Sequence, residues 1–408
     1  MVVTGLGTIN PIGNTVPEFW ENLASGRPGV RTITLLDVGD FPVRIAGEID
    51  LPDLEPWGLS RKLVRRYDRY MVLSAAAAAQ ALEDSGLDVE RAPHRYGAII
   101  GTGDGGVTSH DVNTEKIHKS GMRAAAPLYL INAVPNMGSG FVAKLHNLQG
   151  PNFALSSACA TGNHALGLAA RLIQAGMADA ILAGGAEAPI NHLGLAAFGN
   201  IMALSERNDS PQTASRPFDR GRDGFVLSEG AAVLCLEELE HAASRGAQIY
   251  AELTGIGFSC DAYDMVAPHP EARGSVAAIA DALRDAGIGP QEVDLVNAHA
   301  TSTQIGDLAE CVAMHRVFGD LASTVPVQAT KSMIGHTIAG AAAIEAVAAL
   351  LAIHRGVVHP TINLFEQDPQ IDLNVITETR EQPVRHVLSN SFGFAGQNAV
   401  LVLSSFTR

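Results

Sequence analysis

The stretch Ser156-Ser157-Ala158-Cys159-Ala160-Thr161-Gly162 decides how the rest of the sequence is interpreted. Segment 152–155 before it is short and apolar, which predicts a buried strand, and apolar residues after it recur at helical spacing as far as Gly176. Cys159 is therefore predicted at a strand-to-helix turn, where free N–H groups and the helix dipole favour an anion. We expect the pKa of this thiol to lie below the usual value of about 8.5. A small buried cysteine that only packs is the alternative.

Composition excludes several classes of protein. The 408 residues are 47% hydrophobic and 17% charged, which suits two or three domain-sized units of a soluble globular protein. The net charge of −15 argues against nucleic-acid binding. No uninterrupted apolar run reaches the roughly 18 residues of a membrane span, and no signal peptide is present, so we predict a cytoplasmic protein without membrane contact. The four cysteines lack CxxC pairing, which indicates neither a disulfide framework nor a metal site.

Short apolar strands alternate with Ala-rich helices along the whole chain, the pattern of an α/β fold with buried sheets. One strand is predicted at 180–183 and is expected to end at Gly184-Gly185. Two successive series of similar length, divided near residue 255, suggest a duplicated architecture without an obvious sequence repeat.

The glycine-rich segment 101–106 satisfies G-x-G-x-x-G after a predicted strand. A dinucleotide site also needs an immediate helix and an acidic residue at the end of the next strand. Segment 107–121 is polar and leads to no strand. We therefore interpret the glycines as a turn that lines a pocket.

A basic cluster stands out in this acidic protein. Arg61, Arg65 and Arg69 are spaced to share one helix face, and Lys62 and Arg66 flank them. A solvated face is the alternative. With only Asp68 opposing five positive charges, the cluster favours a docking site for an acidic partner.

Two histidines are predicted just past the carboxyl ends of strands, where α/β proteins gather catalytic groups. They are His299 in Asn297-Ala298-His299-Ala300-Thr301-Ser302-Thr303 and His336 in Lys331-Ser332-Met333-Ile334-Gly335-His336-Thr337. A cysteine with one histidine suggests acyl transfer of the protease type. A second histidine suggests stabilisation of negative charge on a second substrate. A buried Lys331 would need a carboxylate partner, which Glu345 could provide.

Four motifs in this order resemble the β-ketoacyl-acyl carrier protein synthases, most of all the elongating type II condensing enzymes. These motifs are Ser157-Ala158-Cys159-Ala160-Thr161-Gly162, Asn297-Ala298-His299-Ala300-Thr301-Ser302-Thr303, Lys331-Ser332-Met333-Ile334-Gly335-His336 and Asn390-Ser391-Phe392-Gly393-Phe394. The likeness covers essentially the whole chain. It implies a thiolase fold of two βαβαβαββ halves in five layers (α-β-α-β-α) and a dimer. The first half would span 1–250 with Cys159, and the second 251–408 with both histidines.

The resemblance also implies roles for individual residues. Cys159 would take an acyl group from acyl carrier protein, and His299 and His336 would assist decarboxylation of malonyl-carrier protein. The backbone N–H groups of Cys159 and Phe394 would form an oxyanion hole, with the Phe394 ring as a gate. Further roles would fall to Thr301 and Thr303 (contact with the phosphopantetheine arm), Lys331 and Glu345 (electrostatic support), Asp307 and Glu310 (orientation of that network), and Arg61, Lys62, Arg65, Arg66 and Arg69 (docking of the carrier protein). No cofactor of its own is expected, because the phosphopantetheine arrives on the carrier.

Three positions depart from the family pattern. The usual Gly-Phe-Gly-Gly-Thr-Asn loop reads Gly393-Phe394-Ala395-Gly396-Gln397-Asn398, and the added methyl and longer amide are expected to stiffen or re-aim the gate. Asp104 stands where an apolar residue is usual at the entrance of the acyl pocket, and an unpaired charge there would disfavour saturated chains. Tyr129 stands where an aromatic residue from the partner subunit lines the pocket. These departures favour a specialised type II polyketide or polyene synthase, as a homodimer or paired with a chain-length-factor-like subunit.

Four other functions are alternatives to this interpretation. A housekeeping fatty-acid elongation synthase would have the same chemistry on another substrate. An inert chain-length partner would lack the nucleophile that Cys159 supplies. A degradative thiolase needs a second cysteine near the C-terminus, and none follows Cys311. A cysteine protease lacks its local signature here and leaves the second histidine unexplained.

Overall fold

The computed structural model describes residues 1–407. The strands are β1 (Val2–Ile9), β2 (Arg31–Thr32), β3 (Ile45–Ala46), β4 (Tyr96–Gly101), β5 (Asn152–Phe153), β6 (Ala180–Glu187), β7 (Gly230–Glu237), β8 (Ala251–Cys260), β9 (Leu295–Asn297), β10 (Pro326–Gln328), β11 (Val357–Val358), β12 (Asn374–Val375), β13 (Arg380–Glu381), β14 (His386–Gly393) and β15 (Gln397–Ser404). The α-helices are α1 (Val16–Ala24), α2 (Arg61–Arg66), α3 (Arg69–Ser85), α4 (Val107–Ser120), α5 (Tyr129–Ala133), α6 (Met137–His146), α7 (Thr161–Gln174), α8 (His192–Asn200), α9 (Leu239–Ser244), α10 (Arg273–Ala286), α11 (Gln304–Phe318), α12 (Lys331–Ile334) and α13 (Ala341–Arg355).

The strand order shows the duplication. The continuous sheet runs β12-β10-β9-β14-β15-β8-β1-β7-β6-β4-β5, and β1 and β8 meet at its centre. The first half contributes five strands and the second contributes six, of which β12 is an additional strand at the edge. Without β12, both halves have the same arrangement: the second strand lies between the third and fourth, and the fifth lies between the fourth and first. Parallel and antiparallel neighbours also match between the halves. The predicted division at residue 250 falls between α9 and β8.

The helices complete five layers. Helix α3 packs on β1, β6 and β7 from outside, and α10 packs on β8 and β15 at the opposite side. Helices α7 and α13 pack on each other between the two halves of the sheet. Segment Ile338–Arg355, which includes α13, is long and apolar enough to cross a membrane, but 89% of its 18 residues are buried inside the protein. It is the central helix of the core.

Strand β6 is longer than predicted because Gly184 and Gly185 lie inside it. A Cβ on Gly184 would lie 2.0 Å from the carbonyl oxygen of Ala232, and one on Gly185 would lie 2.1 Å from that of Ala339. These glycines permit close backbone approach rather than ending the strand. Because β6 extends past these glycines, Glu187 is its last residue and lies at the carboxyl end of the strand.

Two further expectations, the strand at 152–155 and the single helix of the basic cluster, were wrong. The strand predicted at 152–155 is reduced to β5, which lies at the sheet edge and is not buried. Helix α4 does follow the glycine turn directly, although no strand follows it before β5. The basic cluster does not lie on one helix, because Tyr67 is extended and Asp68 caps a new helix, its carboxylate accepting from the backbone N–H of Tyr70.

Candidate active site

Cys159 lies in a single 3₁₀ turn, Ala158–Ala160, directly before α7. The turn is fixed by Thr161, whose hydroxyl accepts from the N–H of Ser157 at 2.8 Å and donates to the carbonyl of Ala158 at 2.7 Å. The backbone N–H groups of Cys159 and Phe394 both act to lower the pKa of the Cys159 thiol. Two donors that favour negative charge on Cys159 could also hold a carbonyl oxygen.

His336 contacts the sulfur directly. Its Nε2 lies 3.0 Å from Sγ of Cys159, and the residue is only 2% exposed. Its backbone is tied on both sides, since its N–H donates to Val226 and its carbonyl accepts from Ser228. Its Nδ1 has no partner among the described residues. Placing the ring proton on Nε2 avoids burying an unpaired N–H donor.

His299 faces the same space from the second half of the sheet. Lys331 Nζ lies 3.4 Å from Nδ1 of His299. Because the lysine ammonium group can only donate, Nδ1 is the acceptor, and the neutral ring carries its proton on Nε2. The two imidazole centroids lie 5.6 Å apart. One ligand-type atom from each of Cys159, His299 and His336 lies within 4.8 Å of the others. The site thus offers one sulfur and two N–H donors.

Burial decides the protonation states of these groups. It lowers the pKa of His299 and His336 well below the ordinary value, and the Lys331 charge adds to the effect, so both rings are neutral at pH 7. Burial raises the pKa of Cys159 to about 12, against the opposing effects of Lys331 and the two N–H groups. The expectation of a depressed thiol pKa was therefore wrong, because removal from water outweighs the helix terminus. The resting sulfur is a thiol beside an imidazole.

Lys331 and Glu345 form a fully buried ion pair, with Nζ 2.6 Å from Oε1. Burial raises the pKa of Glu345 to about 7, while Lys331 lowers it. The pair joins α12 to the central helix α13 and fixes the amine that orients His299.

Two acidic side chains hold the His299 loop. Glu310 accepts from the N–H groups of His299 at 2.9 Å and Ala300 at 2.8 Å. Asp307 accepts from the N–H groups of Phe218 at 2.8 Å and Ser302 at 3.0 Å. Both carboxylates act on backbone atoms rather than on the imidazole rings.

A cavity of about 430 Å³ opens onto the sulfur. Its lining includes Thr301 and Thr303, whose hydroxyl oxygens lie 3.1 Å apart, and the rings of Phe225 and Phe394. The described residues that line this cavity do not include Asp104 or Tyr129. The hydroxyl of Tyr129 instead lies 2.6 Å from Nδ1 of His110.

The structure shows how the loop 393–398, which contains the predicted gate, accommodates its altered sequence. Ala395 has φ +58° and ψ 17°, a left-handed conformation that costs a non-glycine residue about 1 kcal/mol. Its N–H donates to the carbonyl of Met265 at 2.8 Å. The ring centroid of Phe394 lies 6.4 Å from that of Phe198. The extra methyl group therefore sits on a strained residue next to the predicted gate.

The basic cluster contains four exposed cations rather than five. Arg61, Lys62, Arg65 and Arg66 are exposed on α2. Arg69 is instead half-buried, and its Nη2 lies 2.6 Å from Oε1 of Glu229 and 2.7 Å from the carbonyl of Ile49. The inclusion of Arg69 in a docking face was therefore wrong.

The sequence analysis did not identify Glu187, whose negative charge raises the pKa of Cys159. The available signal was a single acidic residue after the apolar run of β6, at the strand end where functional groups collect. The assumption that Gly184 ends the strand hid this signal.

Family models match both parts of the chain. The N-terminal domain of β-ketoacyl synthase matches residues 1–242, and the C-terminal domain matches residues 250–365. The chain is 46% identical to 3-oxoacyl-[acyl-carrier-protein] synthase 2 of Coxiella burnetii, over 99% of this chain and 98% of that one. It is 41% identical to the enzyme of the same name from Staphylococcus aureus strain COL, over 100% and 98%.

Solved structures agree on the fold. The ishigamide ketosynthase/chain length factor has a TM-score of 0.93 and 36% identity, covering 100% of this chain and 99% of that one. A type II polyketide ketosynthase bound to its acyl-carrier protein (AntDE:AntF) has a TM-score of 0.93 and 34% identity, with the same coverage. Together with the geometry above, these comparisons establish that the chain has the thiolase fold and belongs to the β-ketoacyl synthase family of condensing acyltransferases.

Proposed function

We propose that this protein elongates fatty acyl groups by decarboxylative condensation with malonyl-acyl carrier protein. The observation that carries the proposal is the convergence of the Cys159 sulfur and two neutral imidazoles within 4.8 Å. A nucleophile alone transfers acyl groups, whereas the two additional N–H donors fit a second, negatively charged reaction centre.

In the first step, the Cys159 thiol attacks the thioester carbonyl of acyl-carrier protein. The thiol proton passes to the phosphopantetheine thiolate that leaves, while the Nε2–H of His336, 3.0 Å from Sγ, stabilises negative charge on the attacking sulfur. The N–H groups of Cys159 and Phe394 hold the oxyanion. Thr301 and Thr303 on the cavity wall would contact the phosphopantetheine arm.

In the second step, malonyl-carrier protein loses CO₂ as its C–C bond breaks. The electron pair of that bond forms an enolate, whose oxygen accepts hydrogen bonds from Nε2 of His299 and His336. The carbanion then attacks the Cys159 thioester, a C–C bond forms, and the C–S bond breaks. The released thiolate regains a proton, which restores the resting thiol.

The comparisons favour fatty acyl substrates over a specialised pathway. The relatives named 3-oxoacyl-[acyl-carrier-protein] synthase 2 are 41% to 46% identical to this chain, whereas the ishigamide ketosynthase/chain length factor and the type II polyketide ketosynthase are 34% to 36% identical. The specialised polyketide or polyene pathway predicted from sequence remains the second candidate. It is favoured by the likeness to a type II polyketide ketosynthase at a TM-score of 0.93, whereas Asp104 does not line the cavity at the sulfur.

Acyl loading distinguishes these two candidates. Saturated and polyunsaturated acyl-carrier proteins of equal length are mixed with the enzyme, and the mass of acyl-Cys159 is followed over time. If the protein elongates fatty acids, saturated chains should load onto Cys159 at least as fast as polyunsaturated chains. The variant D104N is the matched control, since removing the charge should favour saturated chains only if Asp104 faces the bound acyl chain. Faster loading of polyunsaturated chains by the unaltered enzyme would support the specialised pathway instead.

The four exposed cations of α2 are proposed to dock the acidic carrier protein. The synthase itself is proposed to form a dimer, either of two copies of this chain or with a chain-length-factor-like subunit. An exposed ion pair is worth about 0.2–1 kcal/mol, so R65E should raise the KM for acyl-carrier protein roughly fivefold and leave kcat unchanged. With acyl-pantetheine as substrate, the KM should not change. The control is R284E on α10, whose side chain is 75% exposed and carries the same charge. An equal rise in KM for both substrates would exclude docking by Arg65.

A further inference from the structure

Ser157 and His164 form a hydrogen-bonded pair beside the nucleophile that the reaction steps do not use. His164 lies on α7, beyond the turn that holds Cys159, and its Nδ1 is 2.9 Å from Oγ of Ser157. Burial lowers the pKa of His164, so its ring is neutral at pH 7 and can form this bond in either tautomer, since a hydroxyl both donates and accepts. The pair ties the chain before Cys159 to the helix that follows it.

A ring from the second half of the chain packs on His164. The ring centroid of Phe258 on β8 lies 4.5 Å from that of His164, and the two planes are inclined at 48°. Gly167, one turn further along α7, leaves room for this ring, because a Cβ there would lie 2.5 Å from Cζ of Phe258. The imidazole is therefore held by packing as well as by its hydrogen bond.

The residue between Ser157 and Cys159 needs such support. Ala158 has φ +50°, in the left-handed region that is unfavourable for a residue with a side chain. A strained backbone of this kind persists only where the surrounding structure holds it. The Thr161 hydroxyl bonds to the backbone at Ser157 and Ala158, and the bond between Ser157 and His164 adds a side-chain tie at the same place.

The Ser157 peptide also contacts the strand end that carries the second proposed oxyanion donor. Gly393 ends β14 directly before Phe394, and a Cβ on it would lie 2.9 Å from the carbonyl oxygen of Ser157. The same Cβ would lie 3.3 Å from the backbone nitrogen of Ala160. A shift of Ser157 would therefore change the spacing between the N–H groups of Cys159 and Phe394.

We propose that His164 is a positioning residue that, through Ser157, sets the spacing of the two oxyanion donors. This role rests on the proposed acyl transfer, and neither side chain lines the cavity at the sulfur. Loss of the hydrogen bond should slow attack on a thioester, because that step needs both donors at the developing oxyanion. Alkylation of the same sulfur by iodoacetamide forms no oxyanion and reports the thiol alone. The ratio of the acyl loading rate to the alkylation rate therefore isolates the contribution of the donors.

The test compares H164L with H164N. Leucine and asparagine have nearly the same shape, but only asparagine keeps a polar atom near the position of Nδ1. Acyl loading from saturating acyl-pantetheine is followed by intact mass, and alkylation of Cys159 by peptide mass, which counts exposed Cys260 separately. In H164L the ratio of the two rates should fall about 10-fold to 100-fold, whereas in H164N it should stay within about threefold of the unaltered enzyme. S157A should match H164L and decides the question if H164L does not fold, and the double variant S157A/H164L should lose no more than either.

The matched control is H354L on α13. His354 also packs on an aromatic ring, 5.1 Å from that of Tyr250, and does not line the cavity, so the ratio should not change. Equal losses in H164L and H164N would show that His164 acts by packing alone and would overturn the proposal, as would a fall in loading matched by an equal fall in alkylation. An unaltered enzyme that loads no acyl group would overturn the proposed function and this role with it. Normal loading by the unaltered enzyme and by all variants would overturn this role alone.

Discussion

Replacing Cys159 with alanine is expected to abolish condensation while malonyl-carrier protein is still decarboxylated. Condensation needs the sulfur as acyl acceptor, and loss of a nucleophile in comparable enzymes costs about 10³-fold or more. The two Nε2 donors do not depend on the sulfur, because Lys331 orients His299 and backbone bonds hold His336. Release of labelled CO₂ and formation of β-ketoacyl product, measured in the same reaction, separate the two activities.

The control is C235A, which removes a cysteine of β7 that does not line the cavity at the sulfur and should leave both activities intact. Product formation by C159A at an undiminished rate would exclude Cys159 as the acyl carrier. Loss of decarboxylation together with condensation, in a variant that remains folded, would show that the imidazoles do not work independently of the sulfur.

Replacing His299 with alanine is expected to impair decarboxylation of malonyl-carrier protein while acyl loading onto Cys159 persists. Acyl loading onto Cys159 should persist, because His336 and not His299 lies within hydrogen-bond distance of the sulfur. Decarboxylation should fall about 10²–10³-fold, the cost of removing one donor from an oxyanion site. Intact mass reports the loaded acyl group, and CO₂ release reports the second step.

H118A is a suitable control, since His118 is exposed on α4 and should affect neither step. H336A should slow both loading and decarboxylation, because His336 faces both reaction centres. If H299A instead lost acyl loading and retained decarboxylation, the roles assigned to the two histidines would be reversed.

Local patterns predicted most of the framework. The alternation of apolar strands and amphipathic helices was confirmed, and the duplicated thiolase fold implied by the motifs is present in the order of the strands. Strand ends also indicated where Cys159, His299 and His336 lie along the chain, because polar residues that follow buried strands are easily recognised. Their convergence at one point depends on pairing between distant strands, which the spacing of residues cannot show.

The failures share one physical cause. The partner of Arg69 is Glu229, and the atoms that make Gly184 and Gly185 necessary belong to Ala232 and Ala339. Each environment is created by residues far away in sequence. The raised pKa of Cys159 has the same origin, since a helix terminus is visible in a sequence but the amount of water left around a sulfur is not.

The division of the site between the two halves affects how the protein is made. As the chain leaves the ribosome, the nucleophile emerges well before both imidazoles and before the Phe394 amide that completes its surroundings. A nascent first half therefore carries the Cys159 thiol without either imidazole and without the Phe394 N–H. From the proposed roles of these residues, we expect no condensation before β15 pairs with β8 and β14 pairs with β15.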